Sequence, residues 1–345
     1  MVAPRCPHCA AVVFLEMQEC PGCGASIGYH YPSGSFLAAP PEGADADGTR
    51  WVRCANWSWQ CNWLVSVDDE SGRCFACRLT RRRPEADDTI ALEKLADTGV
   101  ALRRLLVQLL DLGLPVVPHY VQEGGLAFDL LSSRSGEPVV IGHANGVITI
   151  DLAETLDAHR EALRVRLGEP YRTMLGHFRH EVGHYYQQVL VTEDPLLAEC
   201  RALFGDERAS YADALDRHYR LGAPEDWAER FISEYATMHP WEDFAETFAH
   251  YLHITGTLAT AAAAGVVLDS DRVDDVIRHD VVPASDYSEL GLDRALSDWH
   301  WLSMMFNRVN RAMGQRDLYP FTLTQPVIDK LGFVHRLVIS AGSAS

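Results

Sequence analysis

YRTMLGHFRHEVGHYY, residues 171–186, carries His180-Glu181-x-x-His184 within a stretch of helical character. On a helix, residues four apart share one face, so the two imidazoles can converge on one cation. Glu181 is turned by about 100° from His180. Its carboxylate can therefore approach a water on that cation without becoming a ligand. Gly183 leaves room for a second helix to pass closely. The five-residue pattern is weak alone, because an ordinary core helix can carry two histidines for structural reasons. A catalytic zinc takes three protein ligands and keeps one open position, so the rest of the chain must supply a third.

A candidate lies in SEYATMHPWEDFAETFAHYLH, residues 233–253. Pro240 suits the first turn of a new helix. Glu242 and Glu246 are four apart and share its face. One can bind metal while the other accepts the free ring N–H of a ligating histidine. His239, His250 and His253 read as capping or packing residues. Trp241, Phe244, Phe248 and Tyr251 read as a core stripe rather than a substrate cage.

HExxH followed by a helix with E-x-F-A-E, and a Tyr seven residues before its first Glu, resembles the zinc peptidases related to lethal factor and Mlc titration factor A. The resemblance implies Glu242 as the third zinc ligand, Glu246 as the supporting carboxylate and Tyr235 as an aid to the oxyanion. Tyr235 as a packed aromatic, and exchanged roles for the two carboxylates, stay open. Over nearly all 345 residues the chain resembles bacterial zinc-binding metallopeptidases with an N-terminal zinc ribbon. CNWLVSVDD, CRLT, YRTMLGHFRHEVGHYY and HPWEDFAETFAHYLH carry that match. It implies a zincin-like domain in which Glu181 is the general base for water attack on a peptide bond.

Eight of the nine cysteines fall in the first 77 residues. Cys6-Pro-His-Cys9 and Cys20-Pro-Gly-Cys23 are C-x-x-C knuckles with zinc-ribbon spacing. Cys54, Cys61, Cys74 and Cys77 supply four more thiols. Two tetrahedral Zn²⁺ sites account for all eight; pairing 6/9/20/23 with 54/61/74/77 is simplest, and an interleaved arrangement stays open. Disulfides suit a small secreted domain, whereas the N-terminus reads as lacking a signal peptide. Cys200 reads as a buried core thiol.

The expected fold class is α+β: a zinc-ribbon module over 1–84, then a mostly helical metallopeptidase domain with a small sheet over 85–345. A helix is expected from an Asp88 or Thr89 cap to Gly113. Strands are expected at 126–131, 138–142 and 146–152, with a type I′ turn at Asn145-Gly146. Helices are expected at 153–167 and from Pro170 to Val191, and the chain reads as almost wholly helical to about residue 313. GVITIDL, 146–152, is either an edge strand that could pair with an extended substrate or an interior strand. TRRRP, 80–84, reads as a solvated linker.

The formal charge is −18. Residues 1–84 hold eight Arg and eight Asp or Glu, so residues 85–345 carry the whole imbalance. That argues against a nucleic-acid partner. No apolar run reaches membrane-spanning length, and a cytoplasmic protein is expected. The expected cofactors are one catalytic and two structural Zn²⁺. The expected substrate is a peptide or protein, and the zinc-ribbon module could recruit a protein partner. Two other readings compete: a zinc-dependent amidase on a modified amino acid or cell-wall fragment, and a non-enzymatic zinc-ribbon adaptor.

Overall fold

The computed structural model describes residues 4–85, 87–134, 139–152, 173–272 and 277–343. The chain forms two compact units, residues 2–111 with 116–157, and residues 112–115 with 158–345.

In the first unit, β1 (Ile27–His30) and β2 (Ser35–Ala38) form an antiparallel hairpin, and β3 (Ala44–Ala46), β4 (Thr49–Arg53) and β5 (Leu64–Ser66) form a three-stranded antiparallel sheet. Ile27, Trp63 and Leu64 are fully buried, and the Tyr29 and Trp63 rings lie 5.1 Å apart. After α1 (Phe75–Leu79), β6 (Thr80–Arg82) joins β7 (Ala127–Leu131), β8 (Gly142–Ala144) and β9 (Val147–Asp151) in the order β6-β7-β9-β8. β6 and β9 run parallel to β7, and β8 runs antiparallel to β9. Phe128 pairs with Ile148 and Leu130 with Ile150. These four side chains are buried on one face, as the two-residue period requires.

Several expectations change here. TRRRP is solvated as read, its three arginines being exposed, but it is more than a linker: its first residues form the outer strand β6, and Arg81 makes a bidentate bond to buried Asp129 at 2.8 and 3.0 Å. The strand expected at 138–142 falls at 142–144 instead. GVITIDL is paired on both sides, by β7 and β8, and so is interior, with no free edge for a substrate strand. The turn is as read: Asn145 and Gly146 both have positive φ, 47° and 81°. Helix α2 (Thr89–Asp111) is capped by Asp88, whose carboxylate accepts from the Ala91 N–H at 3.0 Å.

The second unit is helical. The helix expected at 153–167 lies outside the described residues. Helix α3 (Met174–Leu190) is capped by Thr173, whose hydroxyl accepts from the Gly176 N–H at 3.0 Å; the start expected at Pro170 lies outside the described residues. It is followed by α4 (Asp194–Phe204), α5 (Tyr211–Leu221), α6 (Pro240–Ala263), α7 (Leu292–Ala312) and α8 (Gln325–Ser343). The chain between these helices is less regular than expected, with only short 3-10 turns in the described parts of 222–239 and 264–291. Gly222, Gly265 and Gly291, all with positive φ, mark the breaks. The core is an aromatic stack: Tyr186 of α3 lies over Phe248 of α6 at 5.4 Å, and Phe204 and Phe333 close on Phe244.

Helices α3 and α6 touch at Gly183. A Cβ there would stand 2.8 Å from the Ala245 Cα and 3.1 Å from its carbonyl oxygen. Both are backbone atoms, so no rotamer can relieve the clash. Gly183→Ala is therefore expected to destabilise the protein by about 1–3 kcal/mol, the usual cost of overpacking, despite the better helix propensity of alanine. An unchanged urea-unfolding midpoint would show that the helices separate freely.

Candidate active site and metal centres

The eight N-terminal thiols gather as two groups, Cys6/Cys9/Cys20/Cys23 and Cys54/Cys61/Cys74/Cys77, which is the sequential pairing. Sulfurs stand 3.7 Å apart for Cys6 and Cys23, 3.6 Å for Cys9 and Cys20, and 3.6 Å for Cys61 and Cys74. Four sulfurs about 2.3 Å from a tetrahedral zinc would be about 3.8 Å apart, whereas a disulfide needs about 2.05 Å. All nine cysteines are free thiols. The knuckles also turn backbone amides onto sulfur: His8 N–H on Cys6 at 3.4 Å, Gly22 N–H on Cys20 at 3.4 Å, and Cys74 N–H on Cys54 at 3.3 Å. Hydrogen bonds from Cys61, Cys74 and Cys77 hold the Cys54 thiol well below its ordinary pKa. The bond to Cys54 pushes Cys61 well above its ordinary value, and burial does the same to Cys74, so negative charge is shared among crowded sulfurs whose remaining protons a soft cation would displace. Cys200 lies apart from both groups and is buried, and burial pushes its thiol up to about 12.

The third centre forms where α3 meets the start of α6. His239 caps α6, its Nδ1 accepting from the Trp241 N–H at 3.1 Å, and Pro240 occupies the first turn. This sets the Glu242 carboxylate against α3. Its Oε2 lies 2.9 Å from His180 Nε2 and 3.5 Å from His184 Nε2. Donor atoms of these three residues all lie within 4.8 Å of one another. Ligands on bonds of about 2.0–2.1 Å to a tetrahedral zinc would be about 3.4 Å apart, so this donor set suits that ion. On the far side of the His180 ring, Nδ1 meets Glu246 Oε1 at 2.7 Å, and Glu246 Oε2 accepts from the Ser233 hydroxyl at 2.7 Å.

The charges also call for a cation. Three carboxylates surround this point, Glu181 and Glu242 buried and Glu246 half-buried. Burial alone would lower the His180 pKa, but hydrogen bonds to Glu242 and Glu246 and their charges hold it well above the ordinary value. Burial would likewise raise Glu242, yet His184 and His180 hold it well below the usual carboxylate range. Glu181 has one oxygen 3.3 Å from His177 Nε2, while Oε2 is buried with no hydrogen-bond partner among the described residues. Burial opposes its ionisation, and His177, His180 and His184 more than offset that.

Tyr235 is half-buried, its ring 5.9 Å from that of His180. His250 and His253 lie with Tyr319 and Trp299 in an aromatic cluster, where burial pushes them down to about 4 and about 3. Phe244, Phe248 and Tyr251 are core residues as read, but Trp241 is not: it is 45% exposed, with its ring 6.3 Å from His184. As the second residue of α6 it faces outward beside the site. Three further residues were missed. His177 sits one helical turn before Glu181, a spacing that could have been read. Ser233 and Tyr211, whose hydroxyl donates to Glu242 Oε1 at 2.9 Å, had no such signal. Beside Glu242, Asp243 pairs with buried Lys330 at 2.6 Å, and Lys330 also donates to the Arg230 carbonyl at 2.9 Å. This ties α8 to both α6 and the segment before it.

Residues 91–337 match the family described as "Putative zinc-binding metallo-peptidase", and residues 4–88 match a zinc-ribbon domain. Uncharacterised proteins of Mycobacterium tuberculosis and Mycobacterium bovis are each 45% identical over 337 residues, covering 97% of this chain and 94% of theirs. No solved structure matches. No described helix is long and apolar enough to cross a membrane. The chain belongs to this zinc-binding metallo-peptidase family and carries an N-terminal zinc-ribbon domain.

Proposed function

We propose that the protein is a zinc-dependent peptidase with His180, His184 and Glu242 as metal ligands and Glu181 as general base. The convergence of those three donors beside a buried carboxylate with a free oxygen carries this reading. Bound there, zinc would polarise the scissile carbonyl and make water nucleophilic near neutral pH. Glu181 takes the proton of the attacking water and passes it to the leaving amine. The Tyr235 phenol donates toward the developing oxyanion, as the resemblance to lethal-factor-like peptidases implies. Glu246 fixes the His180 ring and keeps Nε2 turned to the metal.

We place the zinc-ribbon module at 1–84, with two Cys₄ zinc ions and a surface for a protein partner, and the metallopeptidase domain at 85–345. A cytoplasmic setting fits cysteines none of which forms a disulfide. An amidase acting on modified amino acids is the competing chemistry. Digesting a peptide library and a set of N-acylated amino acids side by side separates the two. Cleavage confined to the acylated amino acids would replace the peptidase reading.

Metal analysis should find about three Zn²⁺ per chain, two in the knots and one in the third centre. Zinc at the third centre would displace the Nε2 proton that a charged His180 directs at Glu242, while the Nδ1 proton stays with Glu246. Because that pKa is raised, the proton competes throughout the range below it. Apparent affinity should fall by about tenfold per pH unit on acidification, with proton release visible by calorimetry in buffers of different ionisation enthalpy. Binding without proton release would contradict the assigned ligand.

A further inference from the structure

Helix α5 is unusual in this unit because almost none of it is buried. Of its 11 residues only Ala214 is fully covered. Gly205 and Gly222, with φ of 100° and 73°, flank it. Polar ties therefore matter more than packing. Arg217 donates to the Met238 carbonyl at 3.1 Å, and the Ala209 carbonyl meets His239 Nε2 at 3.0 Å. A third tie ends on the metal site: the Tyr211 hydroxyl donates to Glu242 Oε1 at 2.9 Å. The Tyr211 ring packs on His239 at 5.3 Å, the residue that caps the helix carrying Glu242.

The two carboxylates on α6 are then held alike. Glu246 gives one oxygen to His180 and the other to the Ser233 hydroxyl. Glu242 turns Oε2 to His180 and His184 and gives Oε1 to the Tyr211 hydroxyl. A carboxylate with both oxygens free can rotate or offer both to a cation. One whose outer oxygen is hydrogen-bonded presents a single donor in a fixed direction.

We propose that Tyr211 is a positioning residue of the metal centre, its hydroxyl holding Glu242 Oε1 so that Oε2 alone faces the cation with His180 and His184. The proposal rests on the metal-site reading above. It gives α5, which has little core of its own, a place in the site.

The test is third-site Zn²⁺ affinity of the full chain, knots loaded, measured by competition with a chromophoric chelator. Tyr211→Phe keeps the ring against His239 and removes only the hydroxyl. Affinity should fall about 10–100-fold, while the knots keep their two zinc ions. In a Glu242→Gln background, the same change should cost much less, since contacts acting through one partner are not additive. Equal affinity of Tyr211→Phe and the unaltered protein would overturn the proposal and leave the metal centre standing. So would an equal loss in both backgrounds, since the tyrosine would then act elsewhere. If the unaltered protein takes up no third zinc, the metal centre itself fails and this proposal with it.

Discussion

Glu181→Gln is expected to lower peptide hydrolysis at least about a hundredfold, the usual contribution of general acid–base catalysis, with the third zinc retained near one equivalent. The substitution keeps the shape of the side chain and removes its basicity. Its effect on metal should be small because the three proposed donors, on His180, His184 and Glu242, come from other residues. Its effect on chemistry should be large because the carboxylate lies one residue from the ligand His180, and one of its oxygens is buried with no competing partner among the described residues. Activity and zinc content must be read on the same preparation, since metal loss would imitate the loss of a base. Full activity in a zinc-replete Glu181→Gln protein would remove Glu181 from the mechanism.

The second large effect separates two glutamates one turn apart. Glu242→Gln should release the third zinc at chelator concentrations that leave the knots intact, because a neutral amide is a poor substitute for a carboxylate ligand. Glu246→Gln should retain the ion with affinity weakened about 10–100-fold, since it only orients His180. The distances support this order: Glu242 Oε2 faces both imidazole Nε2 atoms, and Glu246 meets His180 on Nδ1. The reverse outcome, zinc lost with Glu246→Gln and kept with Glu242→Gln, would exchange the two roles. Retention in both variants would place the third ligand on another element.

Much of this site is legible in sequence because a helix converts spacing into direction. His180 and His184 on α3, and Glu242 and Glu246 on α6, are i, i+4 pairs, and the C-x-x-C knuckles are similarly local. The partner of each pair was harder to read. Tyr211 reaches Glu242 across 31 residues and Ser233 reaches Glu246 across 13. No periodicity links positions on separate elements. The same limit explains Trp241, whose apolar character reads as core but whose place in the first turn leaves it outside. It also explains β9, whose residues can mark a strand without specifying its neighbours. The charge run at 80–84 looks like a linker until buried Asp129 provides a partner for Arg81.

The contact at Gly183 also sets the mechanical compliance of the centre. Side chains yield by changing rotamer, but there α3 rests on the backbone of α6. The two imidazoles and the carboxylate across from them therefore sit on helices that cannot approach more closely by a change of rotamer at this contact. Separation of these supports is opposed by the stacked rings of Tyr186 and Phe248 one turn away. A cation that demands longer bonds must be met by tilting side chains, because the frame itself does not readily widen. In the proposed site, bond length would then be adjusted by the side chains and not by closer approach of the helices.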